Sequence, residues 1–368
     1  MTSEVAVLEV DLGAVVANWR DLVVRAGGDV AGVVKADAYG LGAVQVAGAL
    51  FGAGCRHFFV AHVNEAVAIR EVVPGAMLAV LNGLWPGTEH LYVRHGLRPV
   101  LGSLGEIEAW SAAAQHLGRD LPALLHVDTG MNRLGLSMGE VEVLVEEEGR
   151  LDGIEVEYVM THLVSSEVPD DPVNEVQRGR FAAVCVRLPA VATSFANSSG
   201  FVNSGGFVNS GRFANASDLA RPGAALYGVN PVPGQPNPMR AAVRLRARIL
   251  HVRKISAGES VGYNGQWTAG RASRIATVSV GYADGYLRSL SNRGAACFDG
   301  ALVPLVGRVS MDLTTFDVTD VPGAREGEWL DLIGPGMPVD EVAARAGTNG
   351  YEILTGLGPR YERRYLPA

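Results

Sequence analysis

The sequence predicts an α/β TIM barrel of eight parallel strands followed by a mostly β C-terminal domain. Three observations predict it. Short apolar runs alternate with helix-patterned segments along the first two thirds of the chain, long β-rich runs take over after Met239, and Pro231, Pro233, Pro236 and Pro238 mark the seam. Strands alternating with helices imply βαβ units and a parallel sheet, and eight such units imply a barrel. Each proline fixes its own φ and biases the preceding residue toward extended backbone. The boundary is therefore expected near Pro238, giving domains 1–238 and 239–368.

Taken in order, residues 5–10 alternate as a strand, and Asp11 suits the N-cap of a helix running to about residue 25, closed by Gly27-Gly28. The eight barrel strands are expected at 32–35, 57–61, 77–81, 98–101, 123–127, 155–161, 190–195 and 217–221. Helical patterns fall between them at 42–51, 64–72, 104–117, 138–148 and 174–188. Beyond the prolines, β-rich runs occupy 242–255, 274–280, 302–318 and 329–333, with helix signals at 339–346 and a short turn near 351–356. One segment is unusual: Asn197-Ser198-Ser199-Gly200-Phe201-Val202 is followed by near copies from Asn203 and Asn209 and a decayed one at Asn215. A solenoid needs several stacked repeats, so a local duplication that lengthened one βα loop is the better reading.

Composition narrows the function. The 368 residues are 48% hydrophobic and 19% charged, with a net charge of −8 and no basic run. Nucleic acid and anionic membrane are therefore poor partners, and a small-molecule enzyme is expected. The start, Met1-Thr2-Ser3-Glu4, lacks the basic and apolar regions of a secretory leader, and no run reaches about 18 uninterrupted apolar residues, so a cytoplasmic protein is expected. Cys55, Cys185 and Cys297 are far apart and without metal-type spacing; they are expected to be reduced thiols, with no metal site.

The chain is organised around Val33-Val34-Lys35-Ala36-Asp37-Ala38-Tyr39-Gly40-Leu41-Gly42. A β-branched run ends in a lysine and then breaks into glycines, which puts Lys35 at the carboxyl end of a barrel strand. That rim carries the chemistry of such barrels. A lysine among apolar groups has a lowered pKa and can act as a neutral nucleophile near pH 7.

This decapeptide resembles the cofactor-lysine segment of alanine racemases, and further stretches resemble the same family in the same order from about Val7 to Tyr365. The resemblance implies pyridoxal 5'-phosphate (PLP) as cofactor, joined to Lys35 as a Schiff base, and implies that the strand at 5–10 pairs with the C-terminal domain. Tyr39, Ser198, the amides of Gly223 and Ala224, and Tyr351 in Asn349-Gly350-Tyr351-Glu352-Ile353 would hold the phosphate, as loops after the last barrel strands commonly do. The repeat leaves Ser204 or Ser210 as alternatives to Ser198. Arg221, in Asp218-Leu219-Ala220-Arg221-Pro222-Gly223, would face the pyridine nitrogen. A guanidinium donates there without leaving the nitrogen protonated, so the ring is a weaker electron sink, which disfavours transamination and decarboxylation. His162 would orient Arg221 or stack on the ring.

Arg133, in His126-Val127-Asp128-Thr129-Gly130-Met131-Asn132-Arg133, matches an arginine that binds the cofactor's phenolic oxygen and the substrate carboxylate. Tyr263, in Val261-Gly262-Tyr263-Asn264-Gly265, would be the second base, opposite Lys35. A tyrosine titrates near ~10 in water and needs cationic or donor neighbours to serve. Met311 and Asp312, in Gly307-Arg308-Val309-Ser310-Met311-Asp312, would line the substrate pocket, and Tyr282 the entry channel. The implied activity is interconversion of L- and D-alanine by two bases, supplying D-alanine for peptidoglycan, in a homodimer with shared sites. Alternatives are a racemase of serine or of broader specificity, a decarboxylase of the same fold type, against which Arg221 speaks, and a non-catalytic PLP-binding barrel, against which the second domain speaks.

There is one departure from the family. Where many alanine racemases carry a carbamylated lysine beside the arginine, this chain has His126, which cannot form that adduct. Arg133, if desolvated, then needs another anion, with Asp128 or, preferred because Asp128 belongs to the family segment anyway, a bound chloride as candidates; the alternative is that His126 only fills space and Arg133 is solvated.

Overall fold

The computed structural model describes residues 5–26, 29–188, 191–203 and 217–368. The later copies of the repeat, with Ser204 and Ser210, and the Gly27-Gly28 stop lie outside the described residues. Barrel strands run in parallel register from Gly32–Val33 through His57–Val60, Met77–Val80, Arg98–Leu101, Leu121–His126 and Ile154–Met160 to Ala192–Ser194. The strand Leu219–Ala220 closes the ring. It pairs in parallel with Asp29–Val30, just before Gly32, while the amides of Asp218 and Arg221 donate to the carbonyls of Thr193 and Ala196 on the other side, at 2.8 and 2.9 Å.

Strands such as Met77–Val80 are buried on both faces, which is why they read as continuous apolar runs, whereas Ile154–Met160 alternates, with Glu155 exposed and Glu157 half-buried. Val33, Phe59, Ala79, Val100 and Leu124 fill the barrel interior, while Phe58, Val60, Leu78, Leu101 and Leu125 join the outer core under the helices. The helices stop and start where their caps dictate. Ser137 and Glu140 form a reciprocal capping box at the start of Met138–Glu146, and Asp171 with Pro172 opens Pro172–Cys185. A helix absent from the sequence expectation, Glu89–His95, buries only Tyr92 and follows the turn-rich Trp85-Pro86-Gly87, so it lacks an apolar period.

The second domain is built on the strand Val243–Ile255, which pairs antiparallel with Trp329–Ile333 and Ser273–Val278. It also pairs with Ala6–Asp11, whose other edge runs parallel to Glu362–Leu366. The chain thus starts in the β domain and crosses to the barrel at once, where the Asp11 carboxylate accepts from the amide of Ala14 at 2.8 Å. The β-rich run expected over 302–318 is two strands, Ala301–Pro304 and Thr314–Asp317, separated by the loop that carries Met311 and Asp312. Residues 231–242 hold neither strand nor helix.

Candidate active site

Lys35 follows the first barrel strand on the rim where the strands end. The four residues after it, Ala36, Asp37, Ala38 and Tyr39, all adopt left-handed backbone, with φ of 52°, 53°, 53° and 57°. Left-handed helix costs an L-residue roughly 1–2 kcal/mol each, so neighbours must impose the turn. Glu65 accepts from the amide of Ala36 at 2.7 Å, and Asp37 accepts from that of Ala43 at 2.7 Å. The β domain presses on the far end. A Cβ on Gly40 would stand 2.5 Å from the carbonyl oxygen of Leu354, and Arg363 donates to the Gly40 carbonyl at 3.1 Å. Burial lowers the Lys35 pKa, Arg133 lowers it further, and Glu65 opposes both.

A cavity of about 650 Å³ opens above Lys35. Tyr39, Arg133, His162 and Arg221 line it with the lysine, and Ser198, Gly223, Ala224 and Tyr351 line its other side. Ser198 is buried, and its hydroxyl accepts from the amides of Gly223 and Ala225 at 2.9 and 3.4 Å. The chain approaches Tyr39 so closely that a Cβ on Gly223 would lie 2.1 Å from the phenolic oxygen. Tyr39 packs on Tyr227 at 4.8 Å and edge-on to Tyr351 at 6.3 Å, and burial pushes its pKa up to about 12, so it is a donor at neutral pH. Tyr351 is likewise raised by burial and donates to Glu167 at 3.3 Å.

Arg221 is buried, and its donors go to neutral groups, the Ser194 hydroxyl and, at 2.5 Å, the Thr161 carbonyl. These groups orient the guanidinium, and His162 lines the same cavity. Burial alone brings its pKa down to about 10, which leaves it a cation. Beside it, burial and then Arg221 lower His162 to about 3 and His126 to about 4, so both imidazoles are neutral. Asp128 is committed, accepting from the amides of Gly130, Met131 and Asn132 at 2.8 Å each. Arg133 is exposed in the single chain, so the desolvation argument for an anion beside it requires something to cover it.

The two desolvated, half-buried histidines have a consequence for acid stability. In the unfolded chain each takes a proton near its ordinary 6.5, while in the folded chain His126 resists until about 4. Their neutral burial therefore carries no penalty above pH 6.5, and stability falls as the pH drops through that window. His126→Asn should lessen the fall of the melting temperature between pH 6.5 and 4, removing a loss of roughly 1–3 kcal/mol while His162 keeps its own share. A variant that loses as much stability as the parent over that range would contradict the assignment.

The remaining predicted residues are not in this cavity. Tyr263 is 70% exposed and lines a separate cavity of about 360 Å³ with Arg308, Ser310 and Thr315. Met311 is 53% and Tyr282 43% exposed on neighbouring loops, and Asp312 pairs with Arg360 at 2.8 Å. Residues missed in the sequence include Thr161 and Ser194, which hold Arg221, and Glu65, which braces the lysine's turn. Glu65 had no cap signature in the sequence, since His62 is not a capping residue type, although its carboxylate accepts from the amides of Ala61 and His62 at 2.7 and 3.1 Å.

Family models for the alanine racemase N-terminal and C-terminal domains match residues 10–231 and 242–365. The chain belongs to the alanine racemase family. It is 55% identical to the alanine racemase of Acidiphilium cryptum, with 97% of each chain covered. It is 46% identical to the catabolic alanine racemase of Mesorhizobium japonicum, covering 98% of this chain and 93% of the relative. Among solved structures, alanine racemase from Bartonella henselae with covalently bound pyridoxal phosphate superposes with a TM-score of 0.92 at 40% identity, covering 98% of this chain and 99% of that one. The two alanine racemase domain models leave between them the proline-marked stretch 232–241.

Proposed function

We propose that this member of the alanine racemase family interconverts L- and D-alanine with PLP carried on Lys35. The observation that carries the reading is a desolvated lysine sharing a cavity with a buried arginine whose donors meet, among the described residues, the neutral Ser194 hydroxyl and Thr161 carbonyl. That donor set suits a phosphorylated pyridine. The cradle of Ser198 and the amides of Gly223 and Ala224, with Tyr39 and Tyr351 as hydroxyl donors, suits the phosphate, and Arg221 suits the ring nitrogen. Bound PLP supplies the electron sink that acidifies the α-hydrogen of an amino acid.

The chain's own residues do the rest. Arg133 anchors the substrate carboxylate as a fork to an anion. Lys35, its pKa lowered, takes or returns the α-proton on the face of the D-enantiomer. Racemisation needs a second proton carrier on the opposite face, and Tyr263 fills that role. Since Tyr263 lies outside the cavity that holds Lys35 in one chain, a second copy supplies it, with Met311 and Asp312 lining the substrate side and Tyr282 the entrance. A twofold homodimer then makes two equal sites. We place the domain boundary near Pro238.

Among the described residues no helix is long and apolar enough to cross a membrane, and Cys55, Cys185 and Cys297 are free thiols. A cytoplasmic enzyme supplying D-alanine for peptidoglycan agrees with both. The function is tested by incubating L- and D-alanine, and serine in parallel, in deuterated water. Formation of the opposite alanine enantiomer with deuterium at the α-carbon is expected. Release of carbon dioxide, or a faster reaction with serine, would overturn the assignment.

A further inference from the structure

Two loops of the β domain are locked to each other and to one arginine. The amides of Tyr282 and Ala283 donate to the carbonyls of Ser310 and Met311, both at 3.0 Å. The approach is so close that a Cβ on Gly281 would stand 2.3 Å from both carbonyl oxygens. Just beyond each loop lies a carboxylate, Asp284 two residues after Tyr282 and Asp312 directly after Met311. Arg360 bridges them, giving Nε and Nη2 to the two oxygens of Asp284 at 2.6 and 2.8 Å and Nη1 to Asp312 at 2.8 Å. Asp284 is only 3% exposed, and its other protein donor is the amide of Gly281 at 2.8 Å.

The segment that carries Arg360 is fixed in its turn. The amide of Gly358 donates to the Asp284 carbonyl at 2.9 Å, and Arg363 joins the carbonyls of Gly358 and Gly40 at 3.0 and 3.1 Å. One arginine of the segment therefore reaches the lysine's turn, and another reaches the loops that carry Tyr282 and Met311.

We infer that Arg360 is a positioning residue: through Asp284 and Asp312 it holds Tyr282 and Met311 in place for the active site of the partner copy. The inference rests on the shared-site reading above. Exposed ion pairs are individually weak, but this one is bidentate to a buried carboxylate, and removing the cation leaves that carboxylate underpaired. Loops that relax on the substrate side weaken binding while leaving Lys35 and Tyr263 able to move protons. The signature is a rise in KM with little change in kcat.

Differently tagged chains allow the two arrangements of a mixed dimer to be isolated. With Lys35→Ala and Arg360→Ala on the same chain and a wild-type partner, the working lysine faces the altered loops, and KM for alanine should rise roughly tenfold. With the two substitutions on separate chains, the working lysine faces intact loops, and KM should stay at its parent value. Arg360→Lys should restore part of the affinity in the first arrangement. Equal effects in both arrangements, the reverse pattern, or no rise in either would overturn the inference. Loss of the shared site itself shows separately, as a failure of Lys35→Ala and Tyr263→Phe chains to complement each other.

Discussion

Lys35→Ala is expected to abolish racemisation, by about ten-thousand-fold or more, while leaving the protein folded. The lysine is held at the start of a left-handed turn whose supports, Glu65, Asp37 and the carbonyl of Gly40, are all outside its side chain, so the truncation removes the amine without removing the turn. The phosphate cradle is also intact, because Ser198 meets the amides of Gly223 and Ala225 and not the lysine. Borohydride treatment followed by peptide mapping should find PLP fixed on Lys35 of the parent, whereas cofactor should leave the variant on dialysis. Cofactor fixed to Lys254, the one other lysine in the sequence, would show that the wrong amine had been assigned.

The parts of the fold most legible in the sequence are those whose burial is symmetrical. Strands such as Met77–Val80 are apolar throughout because helices cover one face and the barrel interior the other. The cap at Asp11 was readable for a local reason: the side chain and the amide it serves are three residues apart. The barrel half of the candidate site was also legible, since its residues follow strand ends, and strand ends converge on one rim.

What could not be read is what tertiary contact imposes. Ala36, Asp37, Ala38 and Tyr39 favour right-handed backbone, and only the bracing by Glu65, Leu354 and Arg363 makes their left-handed turn. The orienting partners of Arg221 come from two other strands, 60 and 27 residues away in sequence. The exposure of Arg133 was not legible either, because its place after a strand does not say whether anything covers it, and in one chain it is open.

The most direct test of the central claim, that Lys35 of one chain works with Tyr263 of another, is the activity of dimers assembled from Lys35→Ala and Tyr263→Phe chains. Tyr263 is 70% exposed and sits in its own cavity, apart from the one lined by Lys35. Each variant alone should be nearly inactive, because every site in it lacks one proton carrier. In the mixed dimer one site regains both groups and the other has neither, so activity should return to about half the parent value per dimer. Purified mixed dimers that remain as inactive as the single variants would place both bases within one chain and contradict the account.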